Sequence, residues 1–140
     1  MDSYILGEDI HVVCLTATSF PEGIEEAFEN LKKILPPTEG RRYFGISRPD
    51  ESGKIRYRAA ADEMSPNEAR DQGLEKFTIP RGAYNTYYIV DYKNNIDAIA
   101  RSFELLTGQA EADPNGYCIE WYIGDHDVKC MVRSADETYP

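Results

Sequence analysis

A pattern of apolar residues occurs twice along this chain, and the repeat constrains the fold more than any other feature of the sequence. A β-rich segment at 11–18 precedes an apolar stripe at helical spacing that runs to about Leu35, and two short β-rich runs follow. The same order begins again at Gly82. Single helices between short strands in this order are typical of an α+β fold.

We therefore predict one α+β domain that spans residues 1–140 and contains two β-α-β-β halves. The halves cover about 10–62 and 74–134. Two helices are expected to pack on a mostly antiparallel sheet. Because the two halves share one pattern, we expect them to be related by pseudo-two-fold symmetry.

The repeat also predicts which residues of the two halves correspond. A shift of 72 residues aligns Ile24 with Ile96 in the two helical stripes. A shift of 73 to 74 aligns Ile46 with Glu120 in the strands that follow the helices. One half then carries a carboxylate where the other has an aliphatic side chain. A structural role alone does not require this exchange, so we expect Glu120 to have a function.

Capping and turn residues predict where the elements begin and end. Ser19 and Glu22 have the spacing of a capping box before the first helix, and Asn94 or Asn95 precedes the second. Gly108 is expected to end the second helix. Three further segments are predicted from their composition: frayed residues at 1–8, a polar connection with one helical turn at 61–73, and a single aromatic strand at 74–91.

One carboxylate interrupts the most apolar strand of the chain. Residues 115–124 read Asn-Gly-Tyr-Cys-Ile-Glu-Trp-Tyr-Ile-Gly, a run of aromatic and β-branched residues between glycines. Glu120 lies in its middle, where an ionised group loses hydration. Either the strand lies at an edge and Glu120 faces water, or the carboxylate lies in an aromatic cavity. The second alternative suits a cationic ligand or acid–base chemistry.

Strand alternation groups the residues around this carboxylate. Cys118, Glu120 and Tyr122 share one face of the strand, and Trp121 lies on the other. Tyrosines elsewhere in the chain are further candidates, because their rings offer apolar surface and cation–π contact. The predicted ligand-binding residues are Glu120, Tyr122, Trp121, Tyr88, Tyr57, Tyr43 and Phe44.

The net charge of the chain argues against phosphate-bearing partners. Fifteen basic residues against twenty-five acidic ones give a net charge of −10. A surface of this kind repels nucleic acid and anionic membranes. The alternative is a local basic patch on the first hairpin, formed by Arg42, Arg48, Arg56 and Arg58. We expect no direct binding of nucleic acid and no membrane partner.

Cysteine and histidine residues are too few and too scattered for the usual catalytic and metal-binding patterns. Cys14, Cys118 and Cys130 form no C-x-x-C pair, and the chain has two histidines. An odd number of cysteines fits a reducing compartment. Residues 1–8 also lack the basic and apolar regions of a secretory signal. We predict a cytoplasmic protein with reduced cysteines, no metal site and no cofactor.

Three short motifs resemble the GyrI-like small-molecule-binding domain, which is also the effector-binding domain of AraC- and MerR-type bacterial regulators. The first motif is Arg-Tyr-Phe-Gly-Ile at 42–46. The second, at 79–84, matches the family's Ile-Pro-x-Gly-x-Tyr, and the third, at 119–122, matches its apolar-Glu-x-Tyr. With the repeat, the resemblance covers about residues 8–134.

The resemblance implies a pocket between the two halves that takes hydrophobic, often cationic compounds, with Glu120 at its base. It also implies a link to transcription regulation and to multidrug binding in bacteria. Such domains often follow a helix-turn-helix segment, and no segment of this kind precedes residue 10. We therefore expect a stand-alone effector-binding or ligand-sensing protein that acts with a protein partner or as a homodimer.

Two other functions are alternatives to binding. Glu120 could be the general acid or base of a small hydrolase, with a tyrosine hydroxyl assisting. The acidic surface could also imitate nucleic acid and inhibit a DNA-handling enzyme. The feature that separates binding from catalysis is whether a second polar group points at the Glu120 carboxylate from within reach. Binding is the function that we expect.

Overall fold

The structure is a computed structural model that describes residues 1–135, so residues 136–140 of the predicted domain lie outside it. Within residues 1–135, the α+β fold class is confirmed. A short 3₁₀ turn at Tyr92–Asn94 precedes the last helix. The elements are β1 (Asp2–Leu6), β2 (Ile10–Thr16), α1 (Ile24–Ile34), β3 (Tyr43–Pro49), β4 (Ile55–Asp62), α2 (Glu68–Gln72), β5 (Glu75–Ile79), β6 (Gly82–Ile89), α3 (Asp97–Thr107), β7 (Cys118–Ile123) and β8 (Asp127–Arg133).

The chain forms two compact units. The first unit comprises residues 10–79, and the second comprises residues 1–9 together with residue 80 onward. Among residues 1–135, no helix has both the length and the apolar character that crossing a bilayer requires. The extent of the predicted single domain stays a prediction.

The first unit is an antiparallel sheet in the order β3-β4-β2-β5, covered by α1 and α2. The apolar stripe of α1 buries Leu31 and Leu35 almost completely. They pack with Val13 of β2 and with the alanines of β4, such as Ala59. Burial of a leucine side chain contributes about 2 kcal/mol to folding, so this contact is the main support of α1.

The second unit repeats this arrangement. Its strands lie in the order β7-β8-β6-β1 and are all antiparallel. Leu106 of α3 is fully buried against Val128, Cys130 and Val132, which alternate along β8. One face of this unit's sheet is therefore covered by α3.

The predicted repeat is confirmed in the order of the elements. The first unit contains β2-α1-β3-β4, and the second contains β6-α3-β7-β8. In both units the first strand of the repeat lies between its last strand and one additional strand. The additional strand is β5 in the first unit and β1 in the second. The pseudo-two-fold symmetry stays a prediction.

The two additional strands correct the prediction from sequence. Residues 1–8 are not frayed, because β1 pairs with β6 along its length, from Asp2 opposite Thr86 to Leu6 opposite Gly82. Residues 74–91 are not one strand, because β5 pairs with β2 and ends at Ile79, immediately before Pro80, and β6 begins at Gly82. Proline has no N–H to donate to a ladder, which explains the position of the break.

The ladder register also corrects the predicted alignment. Matching the ladders of the two units places Gly45, not Ile46, at the position of Glu120, and Ile46 at the position of Trp121. The turn between β3 and β4 is longer than the turn between β7 and β8, so a nearly uniform shift misses the register. The helical alignment is wrong as well, since Ile96 is 70% exposed.

Both predicted helix starts are wrong. The helix α1 begins at Ile24, and Ser19 belongs to a preceding turn in which its carbonyl accepts a bond from the Gly23 N–H at 3.2 Å. The helix α3 begins at Asp97 without a side-chain cap. The Asn94 amide instead donates to the Asp91 carboxylate at 2.8 Å. The predicted end of α3 at Gly108 and the helical turn α2 are confirmed.

A bidentate ion pair ties α2 to the segment before β3, and we predict that its loss destabilises the protein. Arg41 donates to both carboxylate oxygens of Glu68, at 2.9 and 3.3 Å. Burial raises the pKa of Glu68, but bonds from Arg41 and from the Met64 N–H outweigh this and lower it. Glu68→Gln leaves the Arg41 charge buried, so the free energy of unfolding in urea should fall by about 3 kcal/mol at pH 7.

The pH dependence gives a second measurement on the same variant. Because the folded-state pKa of Glu68 is lowered, its stabilisation is present above the unfolded value, about 4.3, and is lost as the pH falls through the folded value. The difference between wild type and Glu68→Gln should therefore shrink below about pH 4. Asp71→Asn is the control, because its pair with Arg70 is exposed. Equal effects of the two substitutions would contradict the prediction.

Candidate functional site

Glu120 lies in the middle of β7 and is 8% exposed. It is opposite Cys130 of β8, and the turn that sets this register contains Gly124 at a positive φ of 60°. Alternation places Glu120 on the same face of β7 as Cys118 and Tyr122, and both of these pack against the apolar cluster beneath α3. This burial rules out the alternative in which the carboxylate faces water.

Two tyrosines lie beside the carboxylate. The Tyr122 hydroxyl donates to Glu120 Oε1 at 2.5 Å. The ring of Tyr92 lies 5.5 Å from the ring of Tyr122 and is tilted by 58° to it. The side chain of Glu120 therefore has a hydroxyl donor and aromatic surface on the helix-covered face of β7. This group of residues, Glu120, Tyr122 and Tyr92, is the candidate site.

Burial and the negative charge of Glu120 raise the pKa values of three neighbouring groups. Burial raises the pKa of Cys118 to about 11, and the negative charge of Glu120 adds to the increase. Burial, then Glu120, then Cys118 raise the pKa of Cys130 to about 12. Burial and Glu120 also raise the pKa of Tyr92. All three groups are therefore neutral at pH 7, and Glu120 is the acidic group of the candidate site.

Trp121 lies on the opposite face of β7 from Glu120, as strand alternation predicts. Its ring meets the ring of Tyr4 edge to face at 6.2 Å, and Lys129 Nζ lies 5.0 Å from its centre. Tyr88 is opposite Lys129 in the ladder and is 45% exposed, with its hydroxyl donating to Asp127 at 2.7 Å. Within the second unit, these two predicted ligand-binding residues are therefore not on the face of Glu120.

The other three predicted residues belong to the first unit. Tyr57 is buried between Phe20 and Phe28, with ring centres 5.9 and 6.3 Å away. Tyr43 packs against the core beneath α1, and Phe44 is 1% exposed. Their assignment to ligand binding stays a prediction.

Sequence reasoning missed two aromatic residues of the second unit. Tyr92 follows β6 in a polar segment, and no sequence pattern marks it as a neighbour of Glu120. Tyr4 lies in the segment predicted to be frayed, although Tyr4 and Leu6 have the two-residue spacing of a half-buried strand. A search for short alternating segments could have found Tyr4.

No protein-family model and no curated protein matches the chain. Several solved structures share its fold. An integron cassette protein from the mobile metagenome of Vibrio cholerae has a TM-score of 0.67 and 14% identity, with 95% of this chain and 94% of that chain covered. A protein solved with tetraphenylphosphonium has a TM-score of 0.62 and 12% identity, with 96% and 94% covered.

The third structure is described as a bacterial transcription regulation protein from Staphylococcus aureus. Its TM-score is 0.53 and its identity is 12%, with 95% of this chain and 97% of that chain covered. At these identities the similarity shows a common fold, and function has to be argued from the site. The fold is consistent with the GyrI-like resemblance of the three sequence motifs.

The charge of Glu120 gives a prediction for the reactivity of Cys118, the one cysteine that is not fully buried. Glu120→Gln removes a negative charge that raises the pKa of the Cys118 thiol. Alkylation of Cys118 by iodoacetamide should therefore begin at a lower pH in this variant. The shift is partial, because burial is the larger cause and remains.

The measurement is the rate of alkylation against pH, with the adduct assigned to Cys118 by peptide mass spectrometry. Glu104→Gln is the matched control, since it removes the same charge at an exposed position of α3. Its profile should coincide with that of the wild type. Coincidence of all three profiles would show that the Glu120 charge does not act on Cys118.

Proposed function

We propose that this protein binds a small hydrophobic cation, with Glu120 as the counter-charge. The observation that supports this most directly is the buried Glu120 carboxylate beside Tyr122 and Tyr92. Aromatic faces carry negative potential and attract cations, and a carboxylate adds a full charge. Apolar neighbours beneath α3 would bury the rest of such a ligand.

Charge is the property that would select the ligand. A buried carboxylate repels anions. A cation that pairs with it offsets the free-energy cost of removing both charges from water. A cation–π contact at a desolvated site contributes about 2 kcal/mol. Neutral aromatic compounds of the same shape would gain only the apolar contact. The site should therefore prefer lipophilic cations over their neutral analogues.

The comparisons support a ligand of this class. One protein of the same fold was solved with tetraphenylphosphonium, a lipophilic cation surrounded by aromatic rings. Another is described as a transcription regulation protein. We propose that this chain is a GyrI-like, multidrug-binding effector protein of the bacterial cytoplasm, linked to transcription regulation through a partner protein or as a homodimer. In this proposal Trp121, Tyr88, Tyr57, Tyr43 and Phe44 stay further candidates for ligand contact.

We predict that Glu120→Gln weakens the binding of tetraphenylphosphonium by about 30-fold. This factor corresponds to a loss of about 2 kcal/mol at 1.36 kcal/mol per tenfold change, which is the Coulomb energy of two unit charges about 8 Å apart at an effective dielectric constant of about 20. The substitution keeps the size of the side chain and its hydrogen bond with Tyr122, so the protein should stay folded. Isothermal titration calorimetry with tetraphenylphosphonium measures the change.

Triphenylphosphine oxide is the neutral comparison ligand, and Glu104→Gln is the control for a general change in surface charge. Glu104→Gln should leave tetraphenylphosphonium binding unchanged. The affinity for the neutral ligand should be low and nearly the same in wild type and Glu120→Gln. An equal loss for both ligands, or no loss for either, would contradict the role of Glu120 as a counter-charge.

The contact between Tyr122 and Glu120 also favours a second candidate function. A hydroxyl at 2.5 Å from Glu120 Oε1 can hold the carboxylate in place as a general acid or base for hydrolysis. The test is turnover of p-nitrophenyl esters by wild type, Glu120→Gln and Tyr122→Phe. Catalysis requires turnover that both substitutions reduce, whereas turnover equal to that of buffer would contradict it.

A further inference from the structure

Two arginines face each other across the ladder between β3 and β4. Arg48 is directly opposite Arg56, and both residues are exposed. The Cβ atoms of directly opposite residues lie about 5 Å apart, and like charges at this spacing destabilise a sheet. This opposed pair, Arg48 and Arg56, therefore places two positive charges where the hairpin itself does not favour them.

The other two arginines of the basic patch considered from the sequence have acidic partners. Arg42 donates to both carboxylate oxygens of Asp62, at 2.8 and 2.9 Å. Arg58 Nε lies 3.7 Å from the Glu75 carboxylate. These two acids are thus paired with arginines outside the opposed pair.

A third acid, Asp50, lies at the start of the turn that joins the two strands. Its Oδ1 atom accepts bonds from the Ser52 N–H at 2.9 Å, the Ser52 hydroxyl at 2.7 Å and the Lys54 N–H at 3.1 Å. The Ser52 hydroxyl is the largest cause that lowers the pKa of Asp50, and the Arg56 charge is the smallest. This carboxylate is therefore occupied mainly by the turn. An external anion that contacts both guanidinium groups would turn their repulsion into attraction.

The second unit shows that the scaffold does not require two basic residues at these positions. Matching the ladders places Ile123 at the position of Arg48 and Asp127 at the position of Arg56. The same strand pairing therefore forms with an apolar residue opposite an acid. Since the fold neither needs nor favours the opposed pair, a ligand is the reason for it that the geometry supports.

We propose that Arg48 and Arg56 bind the phosphate group of a small phosphate monoester. A guanidinium group is a planar fork of donors that fits two phosphate oxygens, and a monoester phosphate has three terminal oxygens. Two forks from neighbouring strands can therefore contact one phosphate, and its charge of about −2 balances theirs. A carboxylate or a phosphodiester group brings a single charge. The net charge of −10 also disfavours nucleic acid, whose many phosphates would approach the rest of the surface.

This site does not depend on the function proposed for Glu120. The opposed pair belongs to the first unit and attracts anions, whereas Glu120 belongs to the second unit and attracts cations. Failure of one proposal would therefore leave the other unchanged.

The test compares methyl phosphate with dimethyl phosphate, which keeps the tetrahedral phosphorus but has one negative charge. Both are titrated into the whole protein at neutral pH and low ionic strength, and NMR follows the backbone amide signals. Methyl phosphate should shift the signals of β3 and β4 around the opposed pair until they saturate. The affinity for dimethyl phosphate should be about tenfold lower, because it offers fewer charged oxygens to the two guanidinium groups.

Variants assign the binding to the opposed pair. Arg56→Gln and Arg48→Gln should each lower the affinity for methyl phosphate about tenfold, because one of the two charged forks is lost. Without ligand, Arg56→Gln should melt at the temperature of the wild type or above it, since the repulsion across the ladder is removed. Arg101→Gln is the matched control, because it removes the same charge at an exposed position of α3. It should bind methyl phosphate as the wild type does.

Three results would overturn the proposal. The first is an equal affinity of the wild type for the two phosphates. The second is an undiminished affinity in both Arg56→Gln and Arg48→Gln. The third is duplex DNA that binds the wild type and displaces methyl phosphate, because the two arginines would then be a contact for nucleic acid.

Discussion

The pairing of β7 with β8 is the constraint on which the chemistry of this protein depends. Side chains along a strand alternate between two faces, so a slip of one residue would move Glu120 from the face beneath α3 to the opposite face. The ladder prevents this by placing Glu120 opposite Cys130 and Trp121 opposite Lys129. The same slip would move Cys118 and Tyr122 of β7 away from the apolar cluster beneath α3. Core packing thus fixes the position of the carboxylate.

This register separates two groups of opposite charge by the thickness of one sheet. The carboxylate of Glu120 lies beneath α3, where Tyr122 donates to it. The amine of Lys129 lies on the other face between Tyr4 and Trp121. A direct pair would neutralise both groups, whereas backbone and alternation keep them apart. Each group is therefore held among aromatic rings on its own face of the sheet.

The extent to which the sequence predicts this structure depends on how local each feature is. Helical periodicity predicts α1 and α3, and the carboxylate in an apolar run identifies Glu120, because both signals lie within a few residues. The pairings of β1 with β6 and of β5 with β2 join distant segments, and no local pattern specifies them. The correspondence between the repeats fails for a related reason. The lengths of two turns decide the register, and a fixed shift along the sequence ignores them.

The two repeats show how the same scaffold can acquire a polar group. In the first unit Ser47 is opposite Tyr57, and at the equivalent positions of the second unit Tyr122 is opposite Val128. Each pair has one tyrosine and one small residue, so the volume beneath the helix is filled from either strand. A tyrosine on β7 also lies two residues from Glu120, on the same face, where its hydroxyl reaches the carboxylate. A tyrosine on β8 would be on the neighbouring strand, and the buried charge would lose this donor. Moving the aromatic ring between strands therefore leaves packing nearly unchanged and makes a buried carboxylate tolerable.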